Sequence, residues 1–290
     1  MLNSLLELGH ATSQNLAFAH RADVSVSYGE ETITETNLLE LRRRHPAIIR
    51  LNTFGKKKEA LNGADWEWHI IGRVQTFRMR VQAKRLQRND KLKIPHKVAS
   101  SSKEQIDLLI ADAKLNGLMP VYCFYCTEAQ RAYWTKDKAT PGWESFETGC
   151  LVASAHRVKS IMPKSLSEIE KDSIPWHYLV DRRKYERAAV FDAAIDDDGS
   201  FQFLVTGVGA TSAHATTDKM PDSVDFPTID ELNQSADLNR NYAGVIATQP
   251  LRGSVRDFEG QYLERGIRRL IEIDVREIPP RLPPDDGGRS

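Results

Sequence analysis

Apolar positions along this chain change their spacing several times, and each change marks an element. From residue 3 to 19 apolar and small polar residues recur at loosely helical spacing, which predicts an N-terminal helix. A second helix is expected from Glu30 to Leu41, with Ile33, Leu38 and Leu41 able to face a core. Its first turn is acidic, as the helix dipole favours, and Pro46 ends the region. Ala47 to Phe54 reads as a strand. Between Gly63 and Leu86 the period is two, and the pattern predicts two strands joined by a short turn. Glu104 to Asn116 returns to helical spacing, with Ile106, Leu109, Ile110 and Ala113 on one side and Gly117 as the C-cap. Met119 to Cys126 is nearly all apolar, as in a strand buried on both faces, and Cys150 to Val158 gives one more strand. The order is helix, three strands, helix, strand, and a further strand after a loop.

Beyond residue 160 the pattern thins. A short helix is expected from Ser165 to Lys171, and Pro175 to Val180 can pack back on the core. Asp196-Asp197-Asp198-Gly199 reads as a turn between Val190-Phe191 and a strand from Phe201 to Val208. Thr211 to Asn241 is polar and reads as loop-rich, Gly260 to Leu270 as a helix, Ile271 to Val275 as a late strand, and Pro279 to Ser290 as a disordered tail.

Composition narrows the class. A chain of 290 residues with 40% hydrophobic content can bury one large core, or one core and a modest second unit. Its longest apolar runs fall far short of the about 20 residues needed to span a bilayer. The opening residues lack a basic segment followed by a long apolar one, so the expected location is the cytoplasm. Three cysteines argue against a disulfide framework. Cys123 and Cys126 have C-x-x-C spacing inside an apolar run, which favours buried structural thiols over a zinc or redox role. No histidine pair has metal-binding spacing.

Net charge is formally zero, but its distribution is uneven. Arg73, Arg78, Arg80, Lys84, Arg85, Arg88, Lys91, Lys93 and Lys97 face one intervening acid, Asp90, and Lys56, Lys57 and Lys58 form a further cluster. A local basic surface is the footprint phosphate contacts require, although any single run is more often a solvated face.

The candidate chemistry lies in the paired strands. Alternation puts Asp65 and Glu67 on one face and Trp66 and Trp68 on the other, while Gln82 and Lys84 lie opposite Val81 and Ala83. Paired as a hairpin, they gather Asp65, Glu67, Gln82 and Lys84 near one rim, where a metal ion could sit beside an ammonium group. Trp66 and Trp68 read as core packing rather than base-stacking platforms.

Gly63-Ala64-Asp65-Trp66-Glu67-Trp68 followed by Val81-Gln82-Ala83-Lys84-Arg85-Leu86 resembles the PD-(D/E)XK, or restriction-endonuclease-like, nucleases. It is especially similar to the Gln-x-Lys branch that includes Mrr-type restriction enzymes, and to a set of bacterial proteins placed in that superfamily. The resemblance covers roughly residues 28 to 160. It implies an α/β fold with an α-β-β-β-α-β core, a mixed central sheet flanked by helices, and an α+β extension after it. It divides the chain into an N-terminal helical segment (1–27), the core (28–180), a C-terminal extension (181–278) and the tail (279–290). It also implies Mg²⁺, or Mn²⁺ in its place, held by Asp65, the backbone carbonyl of Ala83, Gln82 and an acid from the preceding helix. For that acid Glu31 is favoured over Glu35, and Glu67 is a further alternative. Lys84 would orient the attacking water and offset transition-state charge. Lys56, Lys57, Lys58, Arg85 and Arg88 would touch phosphates. DNA is the implied substrate, in restriction or anti-phage defence, with a homodimer or an activating subunit as partners. RNA, branched DNA, and a non-catalytic binding module are the rival readings.

Overall fold

The computed structural model describes residues 1–53, 63–89, 91–94, 104–127, 149–169, 172–180, 227, 229–234, 236, 244–248 and 269–277. Helix α1 (Leu2–Ala19) and helix α2 (Glu30–Arg44) come first, then strands β1 (Ile49–Thr53), β2 (Trp66–Ile71) and β3 (Gln75–Arg85). Helix α3 (Gln105–Leu115), strands β4 (Met119–Tyr125) and β5 (Cys150–Ser154), helix α4 (Ala155–Ile161) and strand β6 (Ser173–Pro175) follow. The last elements are helix α5 (Ile229–Gln234) and strands β7 (Val245–Ala247) and β8 (Arg269–Asp274). The molecule is therefore mixed α/β, with an eight-stranded mixed sheet flanked by helices.

Sheet order is β1-β8-β2-β3-β4-β5-β6, with β7 pairing the start of β3. The expected hairpin is present: β2 and β3 run antiparallel, with Trp66 opposite Val81 and Glu67 opposite Arg80. β3 and β4 are parallel, connected through α3. β8 inserts between β1, to which it is antiparallel, and β2, to which it is parallel. The stretch read as a C-terminal extension thus supplies an interior strand of the sheet.

Alternation along the strands splits the core into two layers. Val81, Ala83, Trp66 and Trp68 face α1 and α2, together with Val121, Cys123 and Tyr125 of β4. Tyr122 and Phe124 face the other way, against Ile106 and Leu109 of α3 and Val158 of α4. Trp68 is buried edge-on to Trp176, whose indole N–H donates to the Leu5 carbonyl and so fixes α1 to the sheet. Both hairpin tryptophans are core residues, as the pattern predicts.

Beneath α3, the even-numbered face of β3 is polar. Arg78 donates to the Asn116 and Gly117 carbonyls at the C-terminal end of α3, Arg80 pairs with Asp112, and Lys84 reaches Gln105 at its start. From residue 78 to 84 a strand rises about 20 Å, and from 105 to 116 a helix rises about 16 Å. The two therefore lie head to tail, tied at both ends and in the middle. Gly117 takes the left-handed conformation expected of a C-cap, with φ of 61°.

Three expectations need correction. The strand from Cys150 stops at Ser154, because that hydroxyl accepts from the His156 N–H and caps α4 in its place. The loop-rich stretch contains α5, whose Leu232 packs against Gly72 so closely that a Cβ there would overlap the Leu232 backbone. Arg269 and Leu270, read as the end of a helix, are strand residues. The expected elements at Val190-Phe191 and Phe201 to Val208, and the tail from Pro279, lie outside the described residues, as do Lys56, Lys57 and Lys58. Among the described residues no helix is long and apolar enough to cross a membrane.

Candidate functional site

Five elements converge on one rim of the sheet: the start of β2, the end of β3, the first turns of α2 and α3, and the start of β8. β2 begins at Trp66, opposite Val81, so two residues further along β3 the Ala83 backbone runs past the end of its neighbour. The Asp65 carboxylate fills that gap: Oδ2 accepts from the Ala83 N–H at 2.7 Å, while the Asp65 N–H donates to the Val81 carbonyl at 2.8 Å. Gly63, with φ of 69°, lets the preceding chain lie directly on the Gln105 carbonyl and Leu109 of α3. A Cβ there would collide with that backbone, so the glycine sets how near Asp65 stands to α3.

Gln82 is 2% exposed and sits at the middle of a hydrogen-bonded chain. Its Nε2 donates to Asp65 Oδ2 at 2.6 Å and to the Ala83 carbonyl at 3.0 Å. Its Oε1 accepts from Gln105 Nε2 at 2.7 Å, and Gln105 Oε1 accepts from Lys84 Nζ at 3.3 Å. Lys84 also stands 3.9 Å from the Glu30 carboxylate, whose other oxygen accepts the Arg85 N–H at 3.0 Å. Asp65, Gln82, Ala83 and Lys84 are therefore together, as the sequence predicts.

The helix acid adjoining Lys84 is Glu30, one residue before the one favoured from sequence. Glu31 and Glu35 point instead at the buried guanidinium of Arg269, at 3.4 and 2.5 Å. That guanidinium also donates to the Asp65 carbonyl at 3.4 Å. Glu67 shares the Gln82 face but lies two residues inside the sheet, fully buried, hydrogen-bonded with His69 at 2.5 Å and ion-paired with Arg80 at 3.3 Å. Its burial and pairing make it part of the layer under α3 rather than of the rim.

Gln105, Glu30 and Arg269 are the residues sequence reasoning passed over. Glu30 carried a signal, since it opens the same acidic first turn. Gln105 and Arg269 carried none, because a polar residue at a helix start and an arginine before an apolar run are ordinary.

Arg85 lines two neighbouring cavities on the rim. One, of about 200 Å³, is bounded by Glu30, Lys84, Arg85, Gln87 and Lys93. The other, of about 260 Å³, lies between Arg85, Gln87 and Arg88 and the α1–α2 connection at Val26 to Tyr28. Arg88 fixes that connection by donating to the Ala19 and Val24 carbonyls at 2.8 and 2.9 Å, so part of its donor capacity serves structure. The first turns of α2 and α3 face the same rim, and neither has a side-chain cap, so the positive ends of their dipoles lie there.

Among the described residues no three His, Cys, Asp or Glu side chains form a metal cluster. The oxygens that do converge are Asp65 Oδ2 and the Ala83 carbonyl, which both meet the single donor Gln82 Nε2. A carboxylate, a backbone carbonyl and an amide oxygen in place of that donor are hard ligands of the kind Mg²⁺ prefers, with water completing its shell. These residue types fit such an ion only with the Gln82 amide turned to present its oxygen. The cysteines do not compete for it: all three are buried, and burial pushes the Cys123 and Cys150 thiols well up, leaving them protonated at neutral pH. Tyr122, paired in register with Gln82, is likewise held neutral, by burial first and then by the charges of Asp65, Glu104 and Asp107.

A protein-family model described as a family of unknown function, DUF6615, matches residues 1–268. No curated protein matches the chain.

Proposed function

We propose that this chain, which belongs to the DUF6615 family, is a metal-dependent nuclease hydrolysing phosphodiester bonds of DNA on a restriction-endonuclease-like core. The observation that carries this reading is the rim itself, where Asp65 Oδ2, the Ala83 carbonyl, the Gln82 amide and the Lys84 ammonium gather beside basic cavities.

Asp65 and the Ala83 carbonyl would hold the cation, with Gln82 contributing Oε1. An ion held there would supply Lewis-acid neutralisation of phosphoryl charge and acidify a water. Lys84 faces the same space from the end of β3 and directs its ammonium at the attacking water and the charge that develops on phosphorus. Glu30 and Gln105 restrict where that ammonium can stand. Arg85 and Lys93, with the helix N-termini, meet the flanking phosphates as positive charge without reading sequence. Restriction of invading DNA is the role that follows from the resemblance. A homodimer or an activating subunit would suit cutting of both strands.

The test is cleavage of supercoiled plasmid and of single-stranded RNA by the purified chain, with Mg²⁺, Mn²⁺ or chelator. Plasmid cutting that requires metal and falls at least about a hundredfold in Asp65→Ala and Lys84→Ala, both still folded, is the expected result. Cutting that survives both substitutions would remove this site from the mechanism. RNA cut in preference to plasmid would change the substrate, and nucleic-acid binding without cutting would favour the non-catalytic module.

A further inference from the structure

Resting on that metal-site reading, we infer that Gln105 is a positioning residue that decides which end of the Gln82 amide faces Asp65. The Gln82 side chain is almost wholly buried, so its two ends must be satisfied at once. Gln105 presents Nε2 to it, which only an oxygen can accept. Gln82 therefore turns Nε2 toward Asp65 Oδ2 and the Ala83 carbonyl, two acceptors that hold the amide the same way while no cation is bound. A donor stands between the two oxygens that would hold a cation. For Gln82 to offer Oε1 there instead, its Nε2 must find an acceptor at position 105, so the two amides turn as a pair.

Lys84 is coupled to the same turn. Gln105 Oε1 now accepts from Lys84 Nζ. Once that oxygen serves Gln82, Gln105 presents Nε2 toward an ammonium that can only donate, and Lys84 must leave it. One residue on α3 thus links the cation-facing atom of Gln82 to the freedom of Lys84. The Glu30 carboxylate, 3.9 Å away, is the nearest alternative partner in place.

Gln105→Glu separates this from other roles. A carboxylate at 105 cannot donate, so when a cation draws Oε1 toward Asp65 the freed Gln82 Nε2 finds an acceptor at 105. An acid in the first turn of α3 also suits the helix dipole, so the variant folds. Mn²⁺ affinity, measured by titration calorimetry on the full chain, should rise about tenfold, the worth of one charge-assisted hydrogen bond. Added negative charge alone could raise affinity too, so the same substitution is made in a Gln82→Met background, with Gln82→Leu as the replacement if that protein does not fold. A gain that disappears without the Gln82 amide supports the inference. An equal gain in both backgrounds, or no gain in either, overturns it while leaving the metal site intact, provided that Asp65→Ala abolishes Mn²⁺ binding by the unsubstituted chain. If that chain and every variant fail to bind Mn²⁺, the metal reading and this inference fall together.

Discussion

Glu30 and Glu31 are neighbours in sequence, yet one meets Lys84 and the Arg85 N–H while the other meets Arg269. Successive residues of a helix point about 100° apart, so a shift of one residue exchanges the two partners. The sequence showed an acidic first turn but not the rotation of α2 about its axis, which depends on how Ile33, Leu38 and Leu41 seat against β1 and β3. The geometry makes Glu30 the residue that positions Lys84. Glu30→Gln should lower kcat for plasmid cutting by about tenfold with the melting temperature unchanged, whereas Glu31→Gln should change it by less than about threefold. Equal losses in the two variants would show that the pairing with Lys84 does not matter.

At the scale of elements, the decisive arrangement is the polar face of β3 lying under α3. Arg80 is fully buried between Glu67, at 3.3 Å, and Asp112, at 2.5 Å. It fixes the helix in the middle while Arg78 holds one end, and this sets where Gln105 meets Gln82. Arg80→Met keeps the unbranched apolar stem of the side chain but leaves Glu67 buried without its guanidinium. Such a loss costs about 3–5 kcal/mol, readable as a lowered midpoint in urea unfolding. A midpoint within error of the parent would mean that His69 alone satisfies Glu67. The hairpin, α2, α3 and β4 were all legible because each declares itself by its own period, and Asp65, Gln82 and Lys84 followed from the hairpin. The charge cluster was legible only in part. Alternation put Glu67 on the correct face, but placed it at the rim, since nothing local announces that Asp112, on another element, brings Arg80 and Glu67 inward.

For the whole molecule, the position of β8 was beyond local reading. Its pattern marks Ile271 to Val275 as a strand, but not which neighbours it takes, and those are β1 and β2, separated from it by some 200 residues of chain. Leu270, Ile271 and Ile273 are buried by it, each worth about 1.5–3 kcal/mol. The hydrogen bonds of two ladders go with them, a sum comparable to the whole stability of a typical domain, about 5–15 kcal/mol. A chain ending at residue 268 should therefore lose cooperative thermal unfolding and near-ultraviolet circular dichroism. A sharp transition in that shortened chain would show that the other strands close up without it. Because β8 is the last of the eight strands in chain order, β1 and β2 leave the ribosome with a gap between them, and Arg269 arrives with the strand that fills it. The contacts of Arg269 with the Asp65 carbonyl, Glu31 and Glu35 form only once that strand is in place. These contacts are thus timed by translation: a nascent chain lacks them until the strand that begins at Arg269 has been made.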